Sequence, residues 1–386
     1  MAHITLLAII YLAFISLGLP DSVLGVAWPS MRLSLDQPLA AAGLVTLIIT
    51  VCSALSSLAS ASVLKRLGTG PVVMVSGFLT GFGLFGFAFA PSMAWVLLFA
   101  VPLGLGAGSV DAGLNHFVAD HYSSRHMNWL HGCWGVGATI GPVLMGSALA
   151  GAGGWQSGYR TIAAIQLALA LVFLLSLRLW RQEQAVPSHQ ETVADGAGPR
   201  RAVPPWAAWL APALYLAYAT VEVGTGLWTA SILVDDRGLD APTAGLWVSC
   251  FFGAIMGGRF AVGLVAARLG NRRLVRLGLL VAMAGALVFS VKGLPAPLSL
   301  AGLVLLGLGC APIYPSLMHE TTRRFDAVTA RHVVGRQVAF AYVGGAIGPA
   351  TLGLLGAQWG LSVIMPVVLL AVLLLLLLSW QLDRVT

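Results

Sequence analysis

Long apolar runs separated by short polar breaks dominate this chain, and the runs recur at the length of a membrane crossing. Six lie near 3–31, 39–63, 71–90, 94–118, 128–150 and 159–180. Six more lie near 206–233, 242–266, 274–291, 298–319, 335–357 and 361–382. A helix needs about 20 apolar residues to cross about 30 Å of hydrocarbon. The pattern therefore predicts an all-α integral membrane fold of twelve transmembrane helices in two sets of six.

One long polar stretch interrupts the pattern, 182–205, reading QEQAVPSHQETVADGAGPRRAVPP. Its Pro, Gly, Ser and charged residues cannot bury enough apolar surface to fold alone. The chain is thus expected to hold an N-terminal six-helix bundle (1–181), a cytoplasmic linker (182–205) and a C-terminal six-helix bundle (206–386).

Composition agrees with the pattern: 58% of residues are hydrophobic and 9% charged, against about 25% charged in soluble proteins. A single soluble core has no room for so much apolar surface. The +7 net charge is explained by where the basic residues fall. With both termini in the cytoplasm, sixteen basic residues line the inner loops and Arg32, Arg160, Arg237 and Lys292 the outer ones. That asymmetry sets the orientation, and no nucleic-acid partner is needed to explain the charge. The first run has no basic flank and no small-residue cleavage site, so it reads as a retained span. Cys52, Cys133, Cys250 and Cys310 lie in four different runs, without CxxC or Cys/His spacing, and no metal is expected.

The two halves echo each other. Arg66-Leu67-Gly68 returns as Arg268-Leu269-Gly270, and Gly104-Leu105-Gly106 as Gly307-Leu308-Gly309. Gly137-Ala138-Thr139-Ile140-Gly141-Pro142 returns as Gly345-Ala346-Ile347-Gly348-Pro349. Matches in the same order at nearly one offset predict parallel repeats with a site between them near the midplane. In span count, loop charge and repeat the whole chain resembles the major facilitator superfamily. Arg66 and Arg268 fall in that family's cytoplasmic loop signature, and the resemblance implies a gating role for them. Lys65 and Ala267 stand where the signature carries Asp.

Ionisable side chains inside spans are costly and are functional candidates. Asp21, Asp111, Glu222 and Arg259 stand well inside. By helical rise Asp21 lies about 5 Å outward of the centre of its span and Asp111 about 6 Å inward. A buried carboxyl favours its neutral form, so acids that meet water on alternate sides are suited to carrying protons. The alternative is a permanently protonated acid bonded to a neighbouring helix. Asn115 shares the face of Asp111, and His131 and Trp134 share a side of the next span. Tyr218, Glu222, Thr225 and Thr229 share a face of the seventh. Carboxylates, amides, imidazole and flat rings together suit a polyhydroxylated solute. Trp134 and Trp228, near mid-span, serve either a cavity or packing, whereas Trp129 and Trp206 fit an interfacial belt. Arg259 fits a structural or gating role better than substrate contact, with Glu320 as one partner to consider. Tyr314 occupies the repeat position of Asp111, and Gln337 and Tyr342 are further substrate-binding candidates. Pro20, Pro102, Pro142, Pro312, Pro315 and Pro349 are expected to kink their helices.

Asp111, Asn115, then Asn128-Trp129-Leu130-His131 and Gly135-Val136-Gly137-Ala138, are similar to the fucose permease branch of proton-coupled sugar symporters. Asp21 matches that branch's acid in the second half of its first span. The resemblance implies that Asp21 and Asp111 belong to a proton–sugar mechanism. More loosely, Tyr218, Glu222 and Trp228 look like a seventh-span motif of related sequences, leaving Glu222 open to substrate or protons.

The function expected is a secondary active transporter moving a small polar organic solute, a sugar or sugar derivative, by proton symport with alternating access. Proton-coupled drug or metabolite efflux is the alternative, because Gly141-Pro142 resembles the fifth-span motif of antiporters. A membrane enzyme would need its nucleophile or ligand set gathered at one face, and a sensor would need a folded soluble domain; neither pattern is present. Expected partners are the solute, protons and the bilayer, with the proton gradient as energy source, no cofactor and a monomeric state. Only Lys65 and Lys292 are lysines among 21 basic residues, which suits a GC-rich bacterial genome and an inner-membrane address.

Overall fold

The computed structural model describes residues 2–122, 124–183 and 204–386, and among them every regular element is helical. Most of the expected linker, 184–203, lies outside the described residues. The first half holds α1 (Ala2–Asp21), α2 (Val23–Ser34), α3 (Ala41–Leu67), α4 (Thr69–Ala88), α5 (Met93–His121), α6 (Ser124–Ala150), α7 (Gly154–Leu175) and the short α8 (Leu177–Glu183). The second holds α9 (Ala207–Ser231), α10 (Ala241–Leu269), α11 (Asn271–Ser290), α12 (Ala296–Cys310), α13 (Ile313–Arg324), α14 (Ala327–Trp359) and α15 (Ile364–Val385). Lipid offers no partner for backbone N–H and C=O groups, so apolar runs of this length satisfy them internally as helices.

Among the described residues, eleven spans are long and apolar enough to cross a membrane. The twelfth crossing is α9, whose 25 residues suffice in length. Glu222 and its Tyr and Thr residues lower its hydropathy. They are tolerated because α9 is buried along nearly its whole length between α14, α15, α2 and α10.

Two spans that read as continuous in the sequence are broken. The first divides at Ser22 into α1 and α2, just after Pro20, and Asp21 is the last residue of α1. Proline supplies no N–H to the preceding turn, and Ser22 Oγ instead donates to the Ala138 carbonyl of α6 at 2.8 Å. The tenth divides at Ala311-Pro312 into α12 and α13. Pro102, Pro142 and Pro349 interrupt no helix, and Pro315 lies in the first turn of α13, where proline is tolerated.

The internal repeat is a repeat of contacts. A Cβ on Gly104 of α5 would strike the Ile49 carbonyl of α3, and one on Gly307 of α12 the Phe251 carbonyl of α10. Likewise Gly141 of α6 is pressed on Leu19 of α1, and Gly348 of α14 on Thr220 of α9. Small residues let helices in lipid approach this closely. The Gly-Pro pair that suggested an antiporter motif is therefore a packing device used in both halves.

The halves meet through α6 on α10, α3 on α14 and α2 on α9. The end holding 35–40 and 232–240 (the far end) is shut. There Gly25 abuts Gly226 and Leu227, Gly43 abuts Ala350, and Gly245 abuts Pro142. Arg32 of α2 bridges to Asp235, which lies on a π-helical turn after α9, at 2.9 Å. A partly exposed pair of this kind is worth about 1 kcal/mol at most. Arg32→Ala should shift the open–closed balance of the far end by up to about fivefold. Spin labels at Gln37 and Gly238 would report it as a longer-distance population. The charge-swapped pair Arg32→Asp/Asp235→Arg should restore the short distance.

Candidate functional site

The break after α1 delivers Asp21 to the middle of the molecule on the side facing the second half. Trp134 Nε1 of α6 donates to Asp21 Oδ2 at 2.7 Å. The same indole meets Phe252 of α10 edge-on at 6.2 Å and lies 5.2 Å from the Arg259 guanidinium. One tryptophan thus connects the first, fifth and eighth spans. Asp21 is nevertheless exposed. Asp21 lies at an opening between the halves, with the far end shut above it.

Asp111 of α5 is half-buried, and Asn115 one turn on donates Nδ2 to its Oδ1 at 2.9 Å. That amide is committed to holding the carboxylate. From the second half Tyr342 of α14 approaches the same carboxylate and Ser57 of α3. Asp21 lies within electrostatic reach of both Asp111 and Glu222. The two first-half acids are therefore neighbours of one opening rather than separate sites.

Across the opening Arg259 of α10 sends Nη2 to Glu222 Oε1 at 3.2 Å and Oε2 at 3.5 Å, and to the Tyr218 hydroxyl at 3.4 Å. Both α9 partners are buried. This corrects the partner considered from sequence: Glu320 is bound elsewhere, to Arg272 at 3.0 Å. Tyr218 also donates to the Cys310 carbonyl at 3.3 Å, and Tyr215 to the Tyr314 carbonyl at 2.8 Å. These two hydroxyls hold backbone oxygens on either side of the α12–α13 break. Tyr314, the repeat counterpart of Asp111, packs on both tyrosines with ring centroids at 4.9 and 6.1 Å and stays half-buried. His131 is half-buried, meets Phe14 edge-on at 5.7 Å and lies in the field of Arg259.

Two expected substrate contacts do not reach this opening. Trp228 is fully buried, with Nε1 on the Pro349 carbonyl at 2.9 Å and its ring over Gly353. Gln337 is buried and donates to Thr321 Oγ1 at 2.8 Å. Both serve packing between α14 and its neighbours. Trp228→Ala should cost about 3–5 kcal/mol of stability, seen as a lower Tm in detergent. Trp134→Ala, at a half-buried ring, should lower Tm less than Trp228→Ala does and act on solute uptake as well.

Arg66 and Arg268 are exposed at the ends of α3 and α10, with no ion pair among the described residues. In the second half the arginines that form ion pairs are on α11 and α13. Arg272 pairs with Glu320, Arg276 with Asp383 at 2.7 Å, and Arg324 with Asp383 as well. Asp383 in α15 thus ties α11 and α13 together at this end. Sequence reading missed it because nothing in a linear pattern brings the last turn of α15 to the start of α11. Tyr215 was missed for a similar reason, since its task depends on a break in a distant span.

The chain belongs to the major facilitator superfamily, whose family model matches residues 10–349 and 210–385. It is a transporter of that superfamily rather than an enzyme, and a multi-pass membrane protein. It is 27% identical over 274 residues to the uncharacterized transporter y4wD of Sinorhizobium fredii (strain NBRC 101917 / NGR234), covering 69% of this chain and 68% of that protein. Among solved structures, a bacterial homolog of the human lysosomal transporter Spinster, inward-facing and occupied, aligns with a TM-score of 0.80. Its identity is 14%, over 100% of this chain and 97% of that one. A D-xylose–proton symporter aligns with a TM-score of 0.75 at 13% identity, over 99% and 98%. The nucleoside transporter NupG aligns with a TM-score of 0.75 at 12% identity, over 97% and 98%.

Proposed function

We propose that this protein is a proton-coupled secondary transporter that moves a small polar organic solute, a sugar or sugar derivative, across the bacterial inner membrane by alternating access. The observation that carries the reading is the pairing of Asp21 and Asp111 at one opening between the halves. Each is held by a side-chain donor, and neither is sealed by packing. A carboxyl that loses its water on closure favours its neutral form and releases its proton when water returns. With two such groups beside the solute, closure around solute is cheapest when both carry protons. Trp134 and His131 beside Asp21 and Asp111, with Tyr314 and Tyr342 opposite, offer a flat ring and directional polar groups. A polyhydroxylated ring uses both. The similar D-xylose–proton symporter adds support of the same kind.

With the far end shut and the termini on the cytoplasmic side, where the basic loops lie, the opening faces inward. Two-bundle rocking would shut the end near the termini and part the far end. Gly141 and Gly348 pack alike in the two halves, so the Gly-Pro pair has a structural role that does not require efflux. Proteoliposome uptake with a panel of labelled sugars and sugar derivatives under an imposed inward proton gradient tests the proposal. Gradient-dependent accumulation that collapses with a protonophore is the expected result. Accumulation of hydrophobic cations in place of polar solutes would favour efflux instead.

A further inference from the structure

Resting on the transport reading above, we infer that the solute carries a carboxylate, as in a sugar acid, and that the Arg259 guanidinium is its seat. Arg259 is the one cation among the described side chains at the opening. It faces Glu222, Tyr218, Tyr314, Cys310 and His131, while Asp21 lies within reach of Glu222, and Asp111 of Tyr314 and Tyr342.

Its present bonds occupy only part of it. All three run from Nη2, at 3.2 to 3.5 Å. A committed Arg–carboxylate fork has two parallel bonds of about 2.7–2.9 Å. Nε and Nη1 have no partner among the described residues, and neither is sealed in the packing. The Arg259 side chain keeps 14% of its surface exposed, and Nε and Nη1 are the donors left to grip a planar carboxylate. Trp134 lies 5.2 Å from the guanidinium, so an anion on those donors has an indole face beside it for the rest of the solute.

Charge balance gives this seat a coupling role. With all three carboxyls ionised, the opening carries three negative charges against one positive charge and an anion is repelled. With protons on Asp21 and Asp111, Glu222 and Arg259 cancel, and an arriving carboxylate gains the free edge of Arg259 without net repulsion. Proton loading thus comes before anion loading. A neutral sugar lacks this dependence, because nothing in it needs the guanidinium. Glu222 remains the counter-ion that keeps Arg259 paired when the site is empty.

The test uses the full-length chain in proteoliposomes with an inward proton gradient. Glucuronate, galacturonate and gluconate are compared with glucose, galactose and glucitol, each as labelled solute and as competitor. The acids should accumulate and compete, whereas the neutral partners should do so at least about tenfold less well. Charged hydrogen bonds of this kind set the scale for the variants. Arg259→Gln should weaken acid uptake by about one to two orders of magnitude, mainly through KM, and Arg259→Lys should retain an intermediate activity. The Lys variant keeps the test sound if the Gln variant folds poorly, with thermal stability checked for both. Neutral sugars accumulating while the acids neither move nor compete would overturn the carboxylate seat and leave the transport reading standing. Equal acid uptake by parent and a folded Arg259→Gln would also overturn it. If no member of either set moves, the carboxylate seat fails together with the sugar reading.

Discussion

Asp21→Asn, in a chain reconstituted into proteoliposomes, is expected to abolish accumulation of solute against its gradient while leaving downhill exchange. The amide keeps the shape of the carboxyl and can still face Trp134 Nε1, which bonds Asp21 at 2.7 Å. What it cannot do is exchange a proton. Asp111→Asn should behave similarly, with a smaller loss of fold-holding contact because Asn115 can still donate to the amide oxygen. For either variant the accumulation ratio should fall toward one, and counterflow rates should stay within a few-fold of the parent. A variant that concentrates solute as well as the parent does would remove its acid from the proton path. If both did so, the proton assignment as a whole would fall.

The second large effect concerns the buried ion pair. Glu222→Gln leaves Arg259 with a neutral partner in the membrane interior. Removing one member of a buried pair costs about 3–5 kcal/mol, because the remaining charge stays desolvated. Arg259 keeps 14% of its side chain exposed, so the low end of that range, about 3 kcal/mol, is expected. Arg259→Gln should cost a similar amount. The double variant Glu222→Gln/Arg259→Gln should recover most of it, since two amides at this separation need no counter-charge. Thermal unfolding in detergent checks this directly. Single variants no less stable than the double would show that the pair contributes no coupling, and that the Arg259–Tyr218 contact carries the position.

How much of this was legible beforehand depends on the kind of interaction. Asp21, Asp111, Glu222 and Arg259 stood out because a charge within an apolar run is costly wherever the run folds. Asn115 could be assigned to Asp111 because four residues in a helix is one turn. Trp228 and Gln337 were misplaced because both faces of a membrane helix are apolar, and periodicity does not tell which face meets the cavity. Arg259 was placed at a gate, and its true neighbours became visible only when α9 and α10 were set side by side. The breaks at Ser22 and at Ala311-Pro312 were foreshadowed by proline. Proline at 102, 142 and 349 gave the same signal without a break, so the neighbours decide.

The sequence by itself determined the membrane class, the span count, the repeat and the four costly charges, because each follows from hydrocarbon thickness, desolvation or spacing along one chain. Only the tertiary structure decided that Asp21 bonds to Trp134, that Glu222 rather than Glu320 answers Arg259, that Asp383 pairs with Arg276 and Arg324, and which end is shut. Those are contacts between residues up to about two hundred positions apart. They depend on how two faces of similar grease are turned toward each other, which no local pattern encodes.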